Sequence, residues 1–202
     1  MPKLDGGFYG QNNVINLSKA LLGKVIYTNF NGLLTAGKIV ETEAYNGVMD
    51  KASHAYRGRF TPRTQTMYHA GGIAYIYLCY GIHHLFNVVV GDKNNPIAIL
   101  VRGIEPLEGI DIMLDRRKMK SITPQLTAGP GSLSQALGIK TTQNEISLLG
   151  DDIWIQDNGI TIAETDIIKS PRVGVSYAAE HALLPWRFSL KDNKFVSKPK
   201  PI

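Results

Sequence analysis

Between Ile73 and Arg102 the chain carries three runs rich in β-branched, aromatic and aliphatic residues: Ile73 to Tyr80, Leu85 to Val90, and Ile97 to Arg102. Turns separate them, so they predict a largely antiparallel sheet rather than a helical protein. The same pattern occurs upstream, where Lys24-Val25-Ile26-Tyr27 leads into a turn at Asn29-Phe30-Asn31-Gly32 and a return from Gly37 to Tyr45. The Asn-Gly pair is a hairpin signal.

Helical segments are short. Leu17, Leu21 and Leu22 share one face of a helix from Asn16 that stops at Gly23, and Gly129-Pro130-Gly131 opens another over Ser132 to Leu137, closed by Gly138. Pro106 followed by Leu107, Ile110, Met113 and Leu114 predicts a third, ending in the basic run Arg116-Arg117-Lys118-Met119-Lys120. Short strands are expected at Ile153 to Ile155 and Arg172 to Val175, and the tail from Lys191 is expected to be mobile. From Asn46 to Gly72 neither period is sustained, which predicts a long ordered loop, a feature usually tied to function. The expectation is one mixed α/β (α+β) domain spanning residues 1–202.

Lys and Arg outnumber Asp and Glu by 22 to 17, which favours contact with polyanions. Cys79 is the single cysteine, so an intrachain disulfide and a cysteine-rich zinc site are excluded and a reducing, cytoplasmic location is expected. No run reaches the roughly 18 apolar residues of a membrane span, and Met1 to Gly7 has no apolar signal region.

Two motifs fail. Gly32 to Lys38 has phosphate-loop spacing, but Ile39 replaces the required hydroxyl residue and the segment runs into a strand. Gly174-Val175-Ser176-Tyr177-Ala178 is one glycine short of a nucleophile elbow. Only His83 and His84 lie close together among the histidines, so no metal site is expected.

The residues with chemical promise begin with Glu41 and Glu43. Two apart on a strand, they should share a face, and paired carboxylates on a partly buried face raise at least one pKa, which suits a general base. Taken alone, the pair also reads as a solvent-facing strand edge. Tyr75 and Tyr77 share a face of their own strand, and Tyr80 lies at its end beside Gly81, where a side chain can project. A pocket of Tyr and His beside a carboxylate is what an unstacked nucleobase needs. Lys51, Arg57, Arg59 and Arg63 crowd one loop and could follow a phosphate backbone, though taken alone the cluster is better explained as a solvated loop.

The run Ile39 to Tyr45 containing Glu41-Thr42-Glu43, His54, Thr61-Pro62-Arg63, Tyr75 to Gly81, Asn87 and Arg102 to Gly109 together resemble the signature blocks of the alkyladenine (3-methyladenine) DNA glycosylase family. Further similar blocks at Gly129-Pro130, Gln135-Ala136-Leu137, Arg172 to Val175 and Pro185 to Phe188 extend the resemblance over almost the whole chain. It implies a curved, largely antiparallel sheet flanked by helices, in a minimal bacterial-type form. It implies Glu43 as the base that activates water, with Arg102 near the water and phosphates. Tyr45, His54 and Tyr77 would sandwich a flipped base, Asn87 would crowd a guanine amino group, and Tyr80 would fill the vacated stack. Arg57, Arg59 and Arg63 remain the candidates for the DNA backbone. Ser176 to His181 only approximates the family's version.

The implied activity is that of a monofunctional DNA repair glycosylase. It would act as a monomer on duplex DNA containing 3-methyladenine, 7-methylguanine, hypoxanthine or ethenoadenine, without cofactor or metal, and leave an abasic site. The alternative carried forward is a lesion-binding DNA protein on the same scaffold that does not cut; a nucleoside hydrolase would have no use for Tyr80.

Overall fold

The computed structural model describes residues 1–200. Two short helices, α1 (Gly6–Tyr9) and α2 (Val14–Ala20), lead into the hairpin of β1 (Val25–Phe30) and β2 (Leu33–Asn46). Its turn is Asn31-Gly32, both at positive φ, the conformation that makes Asn-Gly favourable there. Three single-turn 3-10 segments then punctuate residues 47–72. The meander β3 (Ile73–Cys79), β4 (His83–Val90) and β5 (Ile97–Glu108) follows, as its alternation predicts.

Helices α3 (Ile110–Arg117) and α4 (Pro130–Leu137), then strands β6 (Ile153–Gln156), β7 (Ile167–Ser170) and β8 (Arg187–Leu190), complete the chain. All strand pairs are antiparallel, in the order β3-β4-β5-β2-β1-β6. On the edge of β2 opposite β5, β1 pairs as far as Lys38 and β8 takes over from Glu41 to Glu43. The result is a mixed α/β fold built on one curved sheet. Leu21, Ile39, Phe86, Ile99, Ile104, Met113 and Leu133 form its main core with the helices.

Three expectations change. Pro106 lies inside β5 and the helix begins only at Ile110, because Pro106 falls opposite Gly37 at a register shift, where a missing N–H costs no ladder bond. Residues 172–175 form no strand; the sheet there uses β7. The tail from Lys191 is packed rather than loose: Phe195, Val196 and Ser197 are buried against β2 and its neighbours. Among the described residues, no helix is long and apolar enough to cross a membrane.

Candidate active site

Glu41 and Glu43 lie in the middle of β2, between β5 on one side and β8 on the other, and both are 0% exposed. The solvent-facing strand edge is therefore excluded. Register shifts flank Glu41, leaving it opposite Gly103 while Thr42 faces Val101. A side chain at Gly103 would put its Cβ 2.7 Å from the Phe195 carbonyl and 3.2 Å from a Glu41 oxygen, so only glycine lets the C-terminal strap close over this carboxylate.

That strap saturates Glu41. Its Oε1 accepts from Arg187 Nε at 2.7 Å, Ser197 Oγ at 2.9 Å and Arg102 Nε at 3.0 Å, and its Oε2 from the Ser197 N–H at 2.6 Å. Burial pushes the Glu41 carboxyl up, but the two guanidiniums and the Ser197 bonds outweigh it and hold the group below the ordinary range. Two buried arginines, invisible in local spacing, decide the direction at Glu41.

Glu43 has a different set of partners. Oε1 accepts from the Val173 N–H at 2.7 Å and lies 3.4 Å from Arg102 Nη1, and Oε2 accepts from the Tyr45 hydroxyl at 2.8 Å. Burial first and the Glu43 charge second push the Tyr45 phenol well above its ordinary value, so its proton stays in place to donate. Arg102, nearly buried, thus touches both carboxylates and also donates to Ser197 Oγ at 3.1 Å.

A cavity of about 640 Å³ is walled by the three residues that hold Glu43, namely Tyr45, Val173 and Arg102, together with His54, Tyr75, Tyr77 and Asn87, while Glu43 itself is not part of the wall. His54 meets Tyr77 edge-on at 4.7 Å between ring centres, and its Nδ1 lies 2.8 Å from the Tyr75 hydroxyl. Arg63 Nη2 can only donate to His54 Nε2, at 3.3 Å, which assigns the ring proton to Nδ1 and the acceptor role to Tyr75 Oη. Burial, then Arg63 and Arg59, lower the His54 pKa to about 4, so the imidazole is neutral at physiological pH. Asn87, on β4, donates its amide hydrogens to the Tyr75 and Leu85 carbonyls at 3.0 and 3.2 Å, which fixes its orientation at the cavity wall.

Tyr80 sits at the rim, 89% exposed, in the turn between β3 and β4. Its φ of 52° is left-handed, as is that of Gly81 at 73°, the pair of conformations that a tight hairpin turn closed by the Ile82 N–H on the Cys79 carbonyl requires. Arg57 and Arg59 are exposed on the 47–72 loop, whereas Arg63 turns its guanidinium over the Tyr77 ring, 4.8 Å from its centre. Lys51 does not join them, since its ammonium is paired with Glu180 at 2.7 Å. No cluster of three or more His, Cys, Asp or Glu among the described residues could hold a metal ion.

The sequence profile described as Methylpurine-DNA glycosylase (MPG) matches residues 7–194. The chain belongs to the methylpurine-DNA glycosylase family. A Clostridium perfringens (strain 13 / Type A) protein named "Putative 3-methyladenine DNA glycosylase" is 42% identical, the match covering 97% of this chain and 99% of that protein. A Chlamydia felis protein of the same name is 46% identical, covering 95% and 97%. Methylpurine-DNA glycosylase membership makes this a DNA repair glycosylase, with DNA as its substrate.

Several supporting residues of this methylpurine-DNA glycosylase site escape sequence reasoning. Arg172, buried, lies 4.9 Å from the Tyr45 ring centre and 5.1 Å from that of Trp186, held there by two bonds to Asp50 at 2.5 and 2.9 Å and one to the Ala44 carbonyl at 2.9 Å. Arg187 and Ser197 support Glu41 in the same way. Arg172 and Arg187 did lie in blocks of the family resemblance, which gave them no role, and the family match ends before Ser197.

Proposed function

We propose that this glycosylase removes damaged purines by hydrolysis, with Glu43 as the base that activates water against C1′ of a nucleotide flipped into the cavity. The observation that carries this reading is a fully buried carboxylate held by one backbone N–H, one phenol and one arginine, all three from residues that line an open, aromatic cavity. A carboxylate with donors on both oxygens keeps a fixed direction yet retains lone pairs for a water.

Each remaining role follows from chemistry at a position. Tyr45 on one side and His54 with Tyr77 on the other offer π faces to a purine, and neutral His54 adds no repulsion to a cationic base. Asn87 narrows the cavity wall, where an extra amino group would be crowded. Arg102 balances the two glutamates and adds positive charge where the lesion strand's phosphates must pass. Tyr80, exposed at the tip of the β3–β4 turn, is suited to enter the duplex and offset part of the few kcal/mol lost on unstacking. Arg57 and Arg59 then serve the phosphates flanking the flipped nucleotide.

Cationic 3-methyladenine and 7-methylguanine are activated leaving groups; hypoxanthine and ethenoadenine require protonation, so a bell-shaped pH profile is expected for the neutral pair. The reaction needs no lysine nucleophile, and the chain acts as a monomer. The test uses duplex oligonucleotides carrying one hypoxanthine or one ethenoadenine, followed by alkali to reveal abasic sites. Wild type should yield cleavable product and Glu43→Gln should not. Product from both would move the base elsewhere; product from neither, also on methylated DNA, would favour lesion binding without cutting.

A further inference from the structure

The basic run that ends α3 takes no part in the chemistry above, and it borders a second cavity. This one, about 760 Å³, is walled by Ile82, His83, His84, Arg116, Gln135 and Lys140 among others, and includes no Asp or Glu. The acidic residues of α3, Asp111 and Asp115, are outside that wall. Arg117 is fixed just beyond it by Gln135, the Gln125 carbonyl and Ser132 at 2.5, 3.0 and 3.2 Å, while Lys118, Lys120 and Lys140 are exposed. The two cavities share His83 and Gly131; Tyr80 belongs to the wall of the first and Ile82 to that of the second. The β3–β4 turn is thus the partition between an aromatic cavity and a cationic one.

A side chain that enters the minor groove, about 6 Å wide, has one strand on each flank. The strand that delivers the flipped nucleotide must run on the side of the first cavity. From this we infer that the second cavity, on the other flank of the turn, binds the sugar–phosphate backbone of the strand opposite the lesion, through Lys140, with Arg116, whose Nη1 donates to the Ala136 carbonyl at 3.1 Å, adding charge to the wall and the basic end of α3 as its outer rim. The inference rests on the proposed function, because it needs Tyr80 as wedge and the first cavity as the base pocket. Charge complementarity and continuity with that pocket select a polyanion strand as occupant.

The experiment compares salt dependence of binding for wild type and Lys140→Gln on a duplex carrying one ethenoadenine and on the same lesion strand alone. Lys140 is exposed, so its replacement should leave the fold intact. On duplex the slope of log K against log salt should flatten by about 1 in the variant, as expected for one lost phosphate contact, and the single-strand slopes should coincide. Thr142→Glu, which sets a carboxylate on the same exposed wall, should weaken duplex binding further. Neutral methylphosphonates opposite the lesion should cost wild type affinity and cost Lys140→Gln less. Unchanged duplex slopes, or equal flattening on both substrates, would overturn the groove assignment. Wild-type excision from the two oligonucleotides is the control for the function itself: its absence takes both readings down, whereas excision with unaltered slopes removes only this one.

Discussion

Glu41 and Glu43 are the same residue type, two positions apart on one strand, equally buried and in contact with the same arginine, yet their surroundings give them opposite capacities. Around Glu41 the C-terminal strap, Arg187 and Ser197 take up both oxygens, and Phe195 closes the space beyond Gly103. Around Glu43 one backbone N–H, one phenol and Arg102 fix the carboxylate, and all three come from residues that line the aromatic cavity. The proposed roles follow this difference: a carboxylate saturated by buried cations serves as a counter-ion, and the one whose partners line the cavity is the candidate to meet a water. The number of donors and of arginines on each carboxylate, rather than burial, separates the two.

The largest effect should come from the open side. Glu43→Gln keeps shape and burial but cannot take a proton, so single-turnover excision should fall by roughly 10²–10⁴-fold with thermal stability near wild type. If Glu43→Gln instead unfolds the protein and retains activity per folded molecule, the contrast between the two glutamates is wrong. The sealed side should behave in the opposite way. Glu41→Gln leaves Arg102 and Arg187 short of a buried counter-charge and should cost about 3–5 kcal/mol of stability, measured by urea unfolding, with a smaller loss of activity in what remains folded.

pH sharpens the contrast. His54 titrates at about 4 in the folded protein against an unfolded value near 6.5, so the unfolded state binds more protons between those limits. Stability is therefore complete above about pH 6.5 and declines as pH falls toward 4. Glu41, held below its ordinary value, adds stability that is present above the unfolded carboxylate pKa and is lost as pH falls through its folded one. Thermal melts should show His54→Gln nearly flat between pH 6.5 and 5, where wild type already weakens; equal slopes would sink the assignment of a neutral, buried imidazole. Smallest is Ser197→Ala, which removes one hydroxyl from Glu41 but keeps the backbone N–H, and should cost about 1 kcal/mol. A loss as large as that of Glu41→Gln would mean that the strap, not the arginines, carries the counter-ion site.

The β1–β2 hairpin, the β3–β4–β5 meander and α4 were legible from local pattern, because alternation and turn chemistry act over a few residues. Pro106 misled, since its place in a strand depends on a bulge opposite Gly37, set by another strand. The tail misled too: lysine and proline content read as mobility, while its burial depends on Gly103 and Glu41, far away in sequence. In the site, local reading supplied the glutamate pair, the tyrosines and the histidine as types that could serve a nucleobase, and resemblance to a family supplied the distinction between Glu41 and Glu43. Residue spacing could not, as it treats both carboxylates alike.

By itself, then, the sequence determined a β-rich antiparallel chain with its chemically able side chains on two strands and the loop between them. Only the tertiary structure decided which carboxylate is neutralised, which way Arg63 turns, and that Arg172, Arg187 and Ser197 hold the site from behind. The physical reason is range: strand alternation and turns depend on neighbours along the chain, whereas the state of a buried charge depends on every group within a few ångströms, and here Arg102, Arg187 and Ser197 reach Glu41 from 61 to 156 residues away.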